Sequence, residues 1–140
     1  MNFAKIHIGS LIRQSVTENE VEEGRIFSYF NCTRAELEEI YESESLDSEL
    51  LLKWSKLLDY DFFRIYTQHL ILYSPPSAKK DEKSKEKSLL PAFRKNIYTK
   101  EIIDFILEQI ETKQKTTTEV IKEYRIPKTT LHKWMSKYKG

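Results

Sequence analysis

Thr116–Lys139, TTTEVIKEYRIPKTTLHKWMSKYK, is the stretch that decides the fold. Thr116-Thr117-Thr118-Glu119 has the S/T-x-x-E spacing of a capping box, in which two side chains satisfy free N–H groups at a helix start. Val120, Ile121 and Tyr124 then recur at helical spacing. Arg125-Ile126-Pro127 breaks the helix, because proline fixes φ and has no N–H to donate. Lys128–Lys139 resumes with Leu131, Trp134, Met135 and Tyr138 at i, i+3, i+4 and i+7, one apolar stripe. Two short helices joined by about three residues are a helix-turn-helix. Its core asks for apolar residues from the first helix (Val120, Tyr124), the turn (Ile126) and the second helix (Leu131, Trp134), and all five positions are filled.

The remaining face of the second helix points to double-stranded DNA. Lys128, Thr129, His132 and Lys133 lie in its N-terminal part, which approaches base edges in such motifs. Lysine donates to guanine acceptors, and threonine meets a thymine methyl or a phosphate. These four are the expected base contacts. Thr117, Thr118, Lys137 and Lys139 are the expected phosphate contacts. An ordinary helical hairpin without a ligand is the competing reading, and the basic face weighs against it.

Moving toward the N-terminus, Lys100–Thr112 reads as a third helix, with Thr99 as cap and Ile102, Ile103, Ile106, Leu107 and Ile110 inward. Tyr98–Ile103, Thr118–Tyr124 and above all Ile126–Trp134 together resemble the DNA-binding domain of orfA-type insertion-sequence transposases. That resemblance covers residues 97–139 and implies recognition of element ends by the helix-turn-helix. The chain departs from the pattern at Arg125, where glycine is common, and at Ile121, where a small residue is common. A non-glycine residue at positive φ there costs about 1 kcal/mol.

Charge divides the chain. Residues 1–77 carry 7 Lys+Arg and 13 Asp+Glu; residues 78–140 carry 16 and 9. An acidic half thus precedes a basic one, and the basic half suits a phosphate backbone. Between them, Lys79–Ser88 holds no large apolar residue and is expected to be a flexible, solvated linker. The expected organisation is 1–74 as an acidic five-helix unit, 75–96 as linker and strap, and 97–140 as a basic three-helix unit. The fold class is all-α, two small helical units that each contain a helix-turn-helix.

In the acidic half, helices are expected over Gly9–Glu18, Val21–Phe30, from Thr33, over Ser48–Leu58 and over Phe62–Tyr73. Thr33-Arg34-Ala35-Glu36 is a second capping-box match, and Leu51, Leu52, Trp54 and Leu58 are candidate core residues. Val21–Ile40 fits another helix-turn-helix, with Asn31 able to take the left-handed turn. This plan resembles a Cro/C1-type (Xre-like) repressor domain over residues 6–73. Its DNA-facing positions, however, hold Glu23, Glu36 and Glu39 with Arg34 as the main cation, so a scaffold for dimerisation or partner binding is expected instead. The last helix of this half is apolar nearly all round. Phe62, Phe63, Tyr66 and Leu70 are therefore expected at a homodimer interface.

Catalysis is not expected. His7, His69 and His132 are scattered without metal-ligand spacing, and a two-metal nuclease domain has no room. No cofactor is expected. Cys32, the single cysteine, reads as a buried, valine-like residue. Met1–Gln14 has no apolar run of the kind a secretory leader carries, and Phe62–Tyr73 is too short and too polar to span a membrane. A cytoplasmic location follows as the expectation. Three functions remain open: a sequence-specific transcriptional regulator, a non-catalytic DNA-recognition component working with a separate transposase, and a helical protein-interaction adaptor.

Overall fold

The computed structural model describes residues 3–75, 88–93 and 98–138. Among these residues there are eight α-helices and no strand. None of the helices is long and apolar enough to cross a membrane. The chain groups into two compact units, Asn2–Thr67 and Gln68–Gly140. The division falls inside the fifth helix, upstream of the boundary expected at residue 74. Of the expected linker and strap, 75–96, only 75 and 88–93 lie among the described residues.

The first unit holds α1 (Ile8–Glu18), α2 (Glu23–Phe30), α3 (Arg34–Glu42), α4 (Ser48–Leu58) and the beginning of α5 (Phe63–Tyr73). Local chemistry sets most of these limits. Thr33 and Glu36 form the full capping box at the start of α3. Asp47 caps α4 by accepting from the Leu50 N–H at 2.7 Å. Helix α1 begins one residue before the expected Gly9, because the His7 ring nitrogen accepts from the Ser10 N–H at 3.1 Å. Helix α2 begins two residues later than expected. Residues 19–21 are used to end α1: Glu20 takes φ 52° and the Val21 N–H bonds back to the Val16 carbonyl, a Schellman closure.

Ile8, Ile12, Ile26, Leu37, Tyr41, Leu51, Trp54, Leu57, Leu58, Phe62 and Ile65 form the core of this unit. Trp54 sits at its centre, with Phe30 4.3 Å away between ring centroids. Leu52, expected inside, is 47 % exposed, and Leu57 takes the inward place. Cys32 is only partly buried, packed against the core rather than inside it. Burial and the nearby Glu36 carboxylate push its thiol pKa up. The N-terminus of α1 runs into the end of α3. There the Ile8 and Gly9 N–H groups donate to the Glu44 and Ser43 carbonyls at 3.1 and 2.9 Å. These bonds satisfy two donors that a helix start leaves free.

The second unit contains the rest of α5, then α6 (Lys100–Glu111), α7 (Thr117–Tyr124) and α8 (Lys128–Tyr138). Its buried apolar side chains include Leu72, Ile102, Ile103, Ile106, Val120, Tyr124, Ile126, Leu131 and Trp134. Among the described residues, one buried side chain is an amide. Gln68 on α5 is 2 % exposed, and its carbonyl oxygen accepts the Thr99 N–H at 3.3 Å. Thr99 in turn caps α6 through the Ile102 N–H. Among the described residues, five helix ends close through a left-handed residue, and none of those residues is glycine: Glu20, Asn31, Asp59, Lys113 and Arg125.

Candidate nucleic-acid interface

Helices α7 and α8 and the turn between them form the helix-turn-helix. The five positions expected to hold it together are all buried: Val120 and Leu131 at 0 %, Ile126 at 1 %, Tyr124 at 6 % and Trp134 at 8 % exposure. Thr116 caps α7 by accepting the Glu119 N–H at 3.2 Å, while the Glu119 carboxylate meets the Thr116 hydroxyl. Arg125 adopts φ 53°, ψ 40°, the left-handed geometry that the turn requires. Its guanidinium donates to the Pro75 carbonyl at 3.3 Å. Ile121, where a small residue is common in such motifs, is half-buried.

Two further contacts brace the motif, one on α8 and one on α7. The Tyr98 ring meets Trp134 edge-on, with centroids 4.9 Å apart. The Tyr124 hydroxyl donates to the Gln109 side-chain carbonyl at 2.8 Å, which ties α7 to α6. The exposed face of α8 is thus presented by a packed, hydrogen-bonded support, a condition for precise placement of side chains.

On that surface, Lys128, Thr129, His132, Lys133, Ser136 and Lys137 are all exposed. Helical spacing places Thr129, His132, Lys133 and Ser136 on the side of α8 away from Leu131 and Trp134, with Lys128 and Lys137 on its two flanks. Helix α8 carries no carboxylate. Among the described residues, Lys128, Lys133 and Lys137 make no ion pair, and neither do Lys122 and Arg125 beside them. Lys115 is different. It pairs with Glu123 and lies 5.0 Å from the Tyr124 ring centre. The Glu123 hydrogen bond raises its pKa, against a smaller opposing effect of burial. Its charge is therefore engaged internally, and it neutralises one of the two α7 carboxylates.

Of the expected phosphate contacts, Thr118 and Lys137 are exposed and Thr117 is half-buried. Lys139 lies outside the described residues. Tyr138, expected inward, is 38 % exposed, since the final turn of α8 extends beyond its support. Sequence reasoning missed Lys122 and Arg125 as surface cations. Lys122 could have been found from its place on α7 away from Val120 and Tyr124; Arg125 was noticed only for its backbone.

The α2–α3 pair of the first unit has the same local plan, with Asn31 at φ 50° in the turn. Its surface is of opposite character. Arg34 is paired with Glu23, Glu36 serves the capping box, and Glu38, Glu39 and Glu42 offer carboxylates. Of the expected dimer contacts, Phe62 is 1 % exposed inside the first core, so it is not a surface residue. Phe63 and Tyr66 are half-buried against that core, and Leu70 is 62 % exposed. Among the described residues no three His, Cys, Asp or Glu side chains gather into a metal-binding group. Comparison with protein-family models, with curated proteins and with solved structures finds no match to this chain.

Proposed function

We propose that the chain binds double-stranded DNA sequence-specifically through α8, as a transcriptional regulator. The observation that carries this reading is the exposed face of α8. It presents Lys133 with Thr129, His132 and Ser136, flanked by Lys128 and Lys137, on a carboxylate-free helix held in place by a motif of five buried residues, and the three lysines make no ion pair among the described residues. Lys128, Thr129, His132 and Lys133 face the major groove, and Thr117, Thr118, Lys137 and Lys139 the phosphates. The acidic first unit pairs protomers or holds a protein partner. Phe63 and Tyr66, half-buried against its core, supply the apolar contact for a homodimer.

The test is selection of duplexes from a random library by the full chain, followed by binding against salt. Neutralising about four phosphates gives a log–log slope near −3.6, roughly a hundredfold loss of affinity between 50 and 200 mM salt. Lys133→Ala is expected to relax preference at one base pair and cost about 1–3 kcal/mol. Failure of the full chain to bind any duplex at low salt would overturn the reading. A recovered site at the inverted ends of a mobile element, in place of a promoter operator, would assign the same α8 to a transposition system whose chemistry resides in a separate polypeptide.

A further inference from the structure

Within the second unit, a cleft of about 730 Å³ opens beside α7. Sites for small molecules span roughly 300–1,000 Å³. The end of α5 forms one wall with Leu72 and Tyr73, and Glu119, Lys122 and Glu123 of α7 form the other. Those three α7 positions stand at i, i+3 and i+4, so they share one face of the helix. Arg125, in the turn after α7, also lines the cleft. We propose that this cleft binds a small organic monocarboxylate with an aromatic body. Nothing in the proposal depends on the DNA reading of α8, because the cleft is lined by α5, α7 and the turn.

Charge selects an anion. The carboxylates that line the cleft are engaged: Glu123 pairs with Lys115, and Glu119 accepts the Thr116 hydroxyl at 3.3 Å. The cations are not. Among the described residues, Lys122 and Arg125 make no ion pair. Arg125 uses one donor on the Pro75 carbonyl at 3.3 Å, and a guanidinium has five. With Lys115 counted beside its partner, three cations stand against two carboxylates, which leaves one positive charge over. A monoanion balances that charge, whereas a phosphate dianion exceeds it and is repelled by Glu119 and Glu123. A planar carboxylate also matches the fork of the guanidinium.

The α5 wall selects the body. Leu72 is buried, while Tyr73 is 42 % exposed, so much of its ring is open to an occupant. An aromatic ligand stacks on such a ring and gains more than the area it covers. Burial and the neighbouring Tyr124 push the Tyr73 pKa up, over a smaller opposing effect of Lys115. The hydroxyl therefore keeps its proton at neutral pH and can donate to a carboxylate.

The test titrates phenylacetate into the isotope-labelled full chain and follows backbone amide shifts. Saturable shifts are expected at residues 72–74 and 119–125. The Kd should be on the order of 1 mM, the reach of a ligand of about ten non-hydrogen atoms. Lys122→Met, with helicity unchanged by circular dichroism, should bind at least fivefold more weakly, and Lys53→Met, on the exposed side of α4, should bind as the parent does. Phenylacetamide keeps the shape without the charge, and acetate keeps the charge without the ring; each should bind at least fivefold more weakly than phenylacetate. Equal binding of phenylacetamide, or of acetate, overturns the proposed ligand class. Absent shifts, or shifts spread over lysines throughout the chain, overturn the site itself. An unchanged affinity in Lys122→Met does the same.

Discussion

Replacing Gly9 by alanine is expected to destabilise the first unit, against the ordinary preference of helices for alanine. A Cβ built on Gly9 would stand within 2.7 Å of the Ile40, Tyr41 and Ser43 carbonyl oxygens. All three are backbone atoms at the end of α3, so no side-chain rotation relieves the overlap. Alanine gains about 1 kcal/mol over glycine from helix propensity. Overpacking of this kind costs about 1–3 kcal/mol. Separating α1 from α3 also stretches the Ile8 and Gly9 N–H bonds to Glu44 and Ser43, now 3.1 and 2.9 Å. Each is worth about 1 kcal/mol net, more if its donor stays buried without a partner. The balance is a loss of about 2–4 kcal/mol. Each unit has one tryptophan, Trp54 in the first and Trp134 in the second, so urea unfolding followed by Trp54 emission in a Trp134→Phe background reports the first unit alone. Gly24→Ala is the control. Nothing lies within 4 Å of its added Cβ, and it should gain about 0.5–1 kcal/mol. Equal gains from both substitutions would refute the close approach of α1 to α3.

Other substitutions separate the roles within the second unit. Trp134→Ala removes a side chain only 8 % exposed and is expected to cost about 3–5 kcal/mol, seen as early loss of helicity in urea that leaves the Trp54 transition in place. Arg125→Gly relieves the φ of 53°, worth about 1 kcal/mol, but frees the unfolded backbone by a similar amount. Near-neutral stability is therefore expected, together with weaker DNA binding from the lost cation; a loss above about 2 kcal/mol would mean that the Pro75 contact matters more than the turn. The Lys115–Glu123 pair titrates on the alkaline side. Because the folded-state lysine pKa is raised, its stabilisation is complete below the ordinary lysine value and disappears as pH rises through the raised one. Glu123→Gln should accordingly be less stable than the parent at pH 8, by under about 1 kcal/mol for so exposed a pair, and the difference should close at strongly alkaline pH.

The parts of the fold written in local chemistry were legible. Thr33 with Glu36, Thr116 with Glu119, and the single apolar stripe of Leu131 and Trp134 each name their own partners within a few residues. Helix α4 was readable to both ends. The α5 helix was not, because apolar residues surround it and periodicity then has no face to choose. With Phe62 just before it, its buried row is Ile65, Gln68 and Leu72, with a glutamine inside and Leu70 out; that glutamine accepts the Thr99 N–H ahead of α6, a contact no periodicity announces. The start of α1 escaped because an imidazole nitrogen replaced the usual hydroxyl or carboxylate cap. The exposed face of α8 followed directly from its buried one. Lys122 was legible from its place on α7 away from Val120 and Tyr124, whereas the pairing of Lys115 with Glu123 was not, since pairing depends on distance and not on sequence spacing.

Gln68 meets Thr99 across 31 residues of chain, and that separation has a consequence for how the segment between them can vary. Closing a loop of this length costs on the order of 3 kcal/mol beyond a constant, more than one hydrogen bond returns; burial of Leu72 and its neighbours must carry the difference. The cost grows only with the logarithm of length. Doubling the loop adds about 0.6 kcal/mol. Insertions between residues 76 and 87 should therefore be nearly free in stability. A deletion that cuts away Gln68 itself would instead leave the Thr99 N–H without its side-chain acceptor at the start of α6.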